Sequence, residues 1–411
     1  MNAGVRSASF QFRVSASAGW TADACLSRAP HQYDLSPCSG FDANCGWNVD
    51  SPFVHLYSRF PVDSHTFTTV KALVLEQGRA LAVVHAQIEG IAFKETREGK
   101  PFYEFALIDA GAKLTLRVWS DSPAFAACGQ FCAGEFIAID GEFTHSPQFG
   151  LEAKRWEARR LTDCERDLLL GGPPAVREKQ AVNFDYITKA LSSIADPRLS
   201  GICEIFLAEF GDRFRRAAAA RTYHHARRGG LVEHVSQMMR NADGICGAYP
   251  ALNRDLLITG VLFHDSGKLW ENNLPADSFT MPFDERGELL GHITIGIELI
   301  NTLWRKMMAT EQAAAWKELL PANEDVRLHL LHLIAAHHGE LQFGSPVPPK
   351  TPEAWALHYI DNLDAKMEMI TAAYANAKPL AARIRERTFP LPGNEVLPLP
   401  KFRAGAPEVL S

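Results

Sequence analysis

Ten of the fifteen histidines lie between residues 224 and 358, threaded through segments whose apolar residues recur at helical spacing. Buried imidazoles and carboxylates are costly unless they bond to or coordinate something. A helical domain that carries so many of them is therefore expected to gather them into a site. His234 sits early in an amphipathic run with Leu231, Val235, Met238, Met239 and Ala242. The pair His264-Asp265 closes the run 256–263, and Gly267 supplies a break. His292 opens a third apolar run, His337-His338 ends a fourth, and Asp361 lies in a fifth, after 355–360. Neutral imidazole together with carboxylate suits Mn, Co, Fe or Zn better than Ca or Cu(I). His329, His332 and His358 fit the plainer reading of hydrogen-bonded core histidines.

At 411 residues the chain exceeds one ordinary domain. Residues 1–64 are rich in Ser, Ala, Gly, Asp and Cys, with no sustained period, and are predicted to be disordered. Between 66 and 162 come five short runs, at 81–88, 102–108, 114–119, 135–143 and 150–156, several alternating apolar with polar residues and separated by glycine-containing turns. That pattern predicts a small β-barrel. In it, alternation makes Tyr103 and Arg117 the better surface candidates for stacking on bases and following a phosphate backbone, while Phe102, Phe105 and Trp119 read as core. Residues 163–182, around Gly171-Gly-Pro-Pro174, read as a linker, 183–387 as an all-α domain and 388–411 as a Pro-rich tail.

Arg213, Arg215, Arg216, Arg221, Arg227 and Arg228 crowd beside His224 and His225. Guanidinium groups grip phosphate bidentately, so His224, His225, Arg227 and Arg228 are candidates for guiding a polyphosphate backbone. The net charge of −6 argues against a uniformly basic surface and leaves room for such local patches. The eight cysteines form no CxxC pair, no apolar run reaches membrane-spanning length and the N-terminus lacks the apolar core of a signal peptide. Together these features predict a cytoplasmic protein without a membrane partner. Homo-oligomerisation is left open.

His234, His264-Asp265 and Asp361 form an H…HD…D pattern that resembles the HD superfamily of metal-dependent phosphohydrolases. With Leu289-Leu-Gly-His292, Ala336-His-His-Gly-Glu340 and the stretch from Trp355 to Lys366, the chain resembles more closely the YhaM-type 3′→5′ exoribonucleases, over about residues 66–375. It departs at Ser266, where an aliphatic residue commonly stands. The resemblance implies an N-terminal OB-fold β-barrel followed by an all-α HD domain. It implies that His234, His264, Asp265 and Asp361 hold one divalent ion, that Asp265 bridges to a second served by His292, His337 and His338, and that Lys268 contacts phosphate. Two ions, manganese foremost, would then support hydrolysis of single-stranded RNA, and DNA as a further substrate. The alternative is an HD phosphodiesterase acting on a small or cyclic nucleotide, which a strand-binding barrel argues against. A relic fold that only binds nucleic acid would be expected to have lost a ligand, and no ligand position is missing.

Overall fold

The computed structural model describes residues 66–75, 78–146 and 150–402. The disorder expected for residues 1–64 lies outside them. The described chain opens with β1 (Thr66–Thr68), α1 (Val70–Leu75), β2 (Arg79–Glu95), β3 (Pro101–Ile108), β4 (Lys113–Trp119), α2 (Phe125–Cys128), β5 (Phe136–Ser146) and β6 (Gly150–Arg160). The strands pair in the order β4-β3-β2-β5-β6, all antiparallel, with β1 added parallel to the first part of β2. The period-2 alternation sends Val84, Ala86, Ile88, Phe105, Leu107, Leu116, Val118, Ile137 and Ile139 to one buried face.

β2 is the spine of this sheet. Its first half pairs with β5 and its second with β3, and the register shifts between Ile88 and Gly90. Such a bulge bends a strand and increases its twist, so the sheet curls until Trp156 of β6 packs edge-on to Phe105 of β3. The expected closed barrel is corrected here. β4 and β6 approach each other, yet no hydrogen-bonded ladder joins them among the described residues, and the sheet is open. Closure depends on the register of strands distant in sequence, which alternation within each strand does not specify.

The stretch read as a linker is helical. α3 (Asp163–Gly171) starts at a capping box in which the Thr162 side chain accepts from the Glu165 amide and Glu165 answers the Thr162 amide. α4 (Pro174–Ser192) follows at once, with proline in its first turn. The all-α region then comprises α5 (Pro197–Arg216), α6 (Gly230–Ala248), α7 (Arg254–Phe263), α8 (Lys268–Glu271), α9 (Glu285–Met308), α10 (Asn323–Ala336) and α11 (Pro352–Asn376). α6 lies against α4, α5, α7 and α11. Fully buried Phe206, Phe214 and Phe263 form the aromatic centre of the core, with Met238, Ile258, Leu330 and Leu357 around them. Each such side chain contributes about 1.5–3 kcal/mol by leaving water.

α11 ends eleven residues before the expected boundary at 387, because Pro379 cannot continue a helix. The chain instead adds three short strands, β7 (Pro379–Ala381), β8 (Ile384–Arg385) and β9 (Glu395–Val396), so part of the expected tail is ordered and Leu391 is buried. Among the described residues no helix is long and apolar enough to cross a membrane.

The sheet and the helices meet at Gln87, which is buried on β2. Its side-chain oxygen accepts from the amide of Phe279 at 2.7 Å and the hydroxyl of Ser278 at 3.1 Å, while its nitrogen donates to the Gly134 carbonyl. The loop carrying Ser278 and Phe279, between α8 and α9, is gripped from its other side by Arg228. That guanidinium donates to the carbonyls of Pro275, Ala276 and Ser278. Arg221 likewise holds the carbonyls of Glu271, Met281 and Pro282.

Candidate functional site

Four side chains from three helical segments converge at the centre of the α-domain. His234 comes from the second turn of α6, His264 and Asp265 from the turn that ends α7, and Asp361 from the middle of α11. His234 and His264 bring their Nε2 atoms to 3.3 Å from each other. Asp265 Oδ2 lies 3.3 Å from His264 Nε2 and 3.8 Å from His234 Nε2, and Asp361 Oδ1 lies 3.3 Å and 3.9 Å from His234 Nε2 and His264 Nε2. A second set faces the other oxygen of the same carboxylate. Asp265 Oδ1 lies 3.6 Å from both His292 Nε2 and His337 Nε2, and donor atoms of His292, His337 and His338 gather within 4.8 Å of one another.

The imidazoles share one orientation. His234 donates through Nδ1 to Asp364 at 2.7 Å, His264 to the Val261 carbonyl at 2.8 Å and His292 to Glu271 at 2.7 Å. His337 and His338 donate through Nδ1 to the carbonyls of Ile334 and Phe343, each at 2.7 Å. Every Nδ1 being spent, every Nε2 faces inward, which is how ligating histidines are held. Asp265 Oδ1, His292 Nε2 and His337 Nε2 are buried with no hydrogen-bond partner among the described residues. Buried polar atoms left unpaired cost about 1–3 kcal/mol each. Their convergence fits cation binding by this donor set.

The electrostatics ask for positive charge in the same place. Burial alone would raise Asp265, but the Lys268 ammonium and His264 override it and hold the carboxyl well below the usual range. Asp361 is likewise held low against burial by His234 and His264. Burial would lower His234, yet its bonds to Asp361 and Asp364 raise it to about 9. His338 is pushed down to about 3 by burial and then by its histidine neighbours, so it stays neutral.

Local backbone sets these positions. Gly267 approaches the chain at His292 so closely that a Cβ there would sit 1.9 Å from the His292 carbonyl oxygen. Gly267 thus serves close packing, with an ordinary right-handed φ of −67°. Gly291 kinks α9 at φ 68°, a conformation suited to glycine, immediately before His292. Asp364 and Glu271, which orient His234 and His292, escaped the sequence reading. Asp364 follows Asp361 by three residues on one helix, which puts both on one face and was the available signal. Glu271 carried none.

The chain matches the HD domain family over residues 231–366. It is 33% identical over 324 residues to the 3′-5′ exoribonuclease YhaM of Bacillus subtilis (strain 168), covering 77% of this chain and 93% of that protein. The chain belongs to the YhaM exoribonuclease family. The YhaM proteins of Bacillus velezensis and a Geobacillus species are 32% and 31% identical, over 93% and 90% of their lengths.

In this YhaM-family chain the remaining candidate residues divide. The His224 ring lies 5.8 Å from that of His234, and burial followed by Lys268 pushes it down to about 4, so a neutral ring faces the site. Lys268 is buried and donates to Asp265 Oδ2 at 2.7 Å. His225 is held by Asp364 at 3.0 Å in a left-handed conformation, φ 46°. Three expected backbone guides are otherwise engaged. Arg227 pairs with Glu233 and Glu368, Arg228 with the loop carbonyls described above, and Arg117 with Glu104 at 3.1 Å. Their charge is neutralised or spent on structure. Tyr103 is half-buried in a cluster with Phe93 and Phe125. His358 donates to the His337 carbonyl and His332 accepts from the Lys350 amide.

Proposed function

We propose that the protein is a metal-dependent 3′→5′ exonuclease of single-stranded RNA, working with two divalent ions, manganese foremost, in the cytoplasm. The single observation that carries this reading is Asp265, whose two oxygens face two separate histidine sets. His234, His264, Asp265 and Asp361 would hold one ion, and Asp265 with His292, His337 and His338 the other. Ions bound there would activate water and neutralise charge on the phosphate oxygens. Asp364 and Glu271 keep protons on the outer nitrogens of His234 and His292, so that the inner lone pairs stay available. Lys268, bonded to Asp265, lies within reach of an anionic substrate as a second source of positive charge. His224 presents a neutral ring to a substrate group. The sheet is proposed to be of OB type and to hold the strand. Its bulged central strand and the approach of β4 to β6 support that reading.

A 5′-labelled single-stranded RNA, incubated with chelator-treated protein and restored Mn²⁺, should give a ladder shortening from the 3′ end. An inert strand alongside turnover of a cyclic dinucleotide would sink this reading in favour of a small-nucleotide phosphodiesterase.

A further inference from the structure

Arg117 and Arg227 are paired with carboxylates, and Arg228 is held by three carbonyls at both terminal nitrogens. A concentration of unneutralised positive charge follows α11 instead. Between residues 378 and 402 five cations, Lys378, Arg383, Arg385, Arg387 and Lys401, meet two acids, Glu386 and Glu395. Lys378, Arg383 and Arg387 are exposed and Arg385 is half-buried. Glu395 stands opposite Arg385 where β8 pairs with β9, yet among the described residues neither acid closes an ion pair with the first four cations. Cations gathered without counter-charge repel one another and favour an anionic partner.

The ribbon that carries them is fixed to the site's own scaffold. β7, β8 and β9 pair antiparallel, the Tyr374 hydroxyl of α11 donates to the Val396 carbonyl at 3.0 Å, and Leu391 is buried. Arg383 donates one side-chain bond to the Leu397 carbonyl at 2.6 Å, and Arg387 one to the Leu391 carbonyl at 2.8 Å. A carbonyl carries no net charge. Both guanidiniums therefore stay cationic, with their stems held and their other donors exposed, which lowers the ordering cost of binding an anion.

The ribbon reaches the site at a pair of rings. Phe389, 66% exposed, meets Tyr223, 46% exposed, with 5.7 Å between centroids and 63° between planes. Tyr223 immediately precedes His224, whose ring lies 5.8 Å from that of the candidate ligand His234. Consecutive Cα atoms are about 3.8 Å apart, so the rings stand at the margin of the histidine cluster. Two, four and six residues before Phe389 come Arg387, Arg385 and Arg383. Rings beside the site followed by spaced cations are the parts that bind a single strand without reading its sequence, bases on aromatic faces and phosphates on cations.

We propose that residues 378–389 form a track for the strand, with Lys378, Arg383, Arg385 and Arg387 on its phosphates and Phe389 and Tyr223 against a base close to the end being cleaved. This rests on the single-stranded RNA reading above and adds a strand contact separate from the sheet.

The test uses the full-length enzyme with Mn²⁺, an oligoadenylate of about twenty residues and a diadenylate. KM is followed as salt rises from about 0.05 to 0.2 M, a range over which phosphate contacts weaken steeply. Each phosphate contact on a single strand contributes about 0.7 to the slope of log affinity against log salt. K378Q/R385Q removes two cations whose side chains hold no bond in the ribbon. It should lower that slope by about 1.4 and raise KM for the long strand at least about tenfold at about 0.1 M salt. Its kcat should stay within a few-fold, its KM for the diadenylate should match wild type, and K378R/R385K, which keeps both charges, should restore the slope. F389A should raise KM for the long strand about tenfold, the scale of one base–aromatic stack, and leave the slope as in wild type. The track is overturned if K378Q/R385Q keeps the wild-type slope, if K378R/R385K fails to restore it, or if KM rises equally for the diadenylate. The ring contact is overturned if F389A matches wild type on the long strand. The track also falls if light scattering shows that K378Q/R385Q dissociates an oligomer, which would make the ribbon a contact between copies. Wild-type protein that degrades neither substrate would overturn the RNA reading as well, whereas a failure confined to the variants leaves that reading standing.

Discussion

Asp364 offers the sharpest test of how the site is held. Its Oδ2 accepts from His234 Nδ1 at 2.7 Å and from His225 Nε2 at 3.0 Å, and those bonds keep its carboxyl near 2 although burial pushes it up. Asp364→Asn retains an acceptor oxygen but loses the charge, and Asp364→Ala loses both. Without the carboxylate, His234 is no longer compelled to carry its proton on Nδ1, and the tautomer that blocks Nε2 competes. Loss of such an orienting partner costs 10- to 100-fold in metal affinity or activity, or about 1.4–2.7 kcal/mol. Alanine also leaves two buried N–H groups unpaired, at about 1–3 kcal/mol each, so it should melt lower than asparagine. Calorimetric Mn²⁺ titration of chelator-treated protein, with thermal melts of the same samples, measures both quantities. A folded Asp364→Ala protein that binds Mn²⁺ with wild-type affinity would falsify the orienting role.

Asp265→Asn keeps an oxygen for Lys268 but removes the charge between the two histidine sets, and turnover at saturating Mn²⁺ should fall by about a thousandfold or more. Retention of a tenth of the activity would argue against a bridging carboxylate. Gly267→Ala forces a Cβ onto the His292 carbonyl and should cost about 1–3 kcal/mol with at least about a tenfold loss of turnover; a wild-type melt and rate would contradict the close approach. Glu165 is held at about 2, below its ordinary 4.5, chiefly by its bond to Arg159. Its stabilisation is therefore complete above pH 4.5 and lost as pH falls towards 2. Glu165→Gln should lower the melting temperature at pH 6 by about 1–2 degrees, on the order of 1 kcal/mol after solvent screening, with the gap closing near pH 2. A gap that widens on acidification would contradict this.

Much of the site could be read from the chain because its information is local. His264 and Asp265 are adjacent, His337 and His338 are adjacent, and each marks the end of an apolar helical run. The strands between 81 and 156 were legible for the same reason, since alternation is a property of each strand alone. What escaped depends on partners far away in sequence. The arginines at 227 and 228 read as free charge until Glu233, Glu368 and the 275–278 carbonyls come beside them. Glu271 acquires its role only when the kink at Gly291 returns His292 to it. The open seam between β4 and β6 reflects a register set across the thirty residues of intervening chain, 120–149.

The clasp at Gln87 bears on how loss of function would be distributed along the gene. One neutral side chain on β2 and one guanidinium before α6 hold opposite sides of the same loop, so the sheet and the histidine-bearing segment share a fastening. Neither residue touches a candidate ligand. A genetic screen for inactive alleles should nonetheless recover substitutions at Gln87 and Arg228, and the two should be non-additive, because either one alone releases the loop.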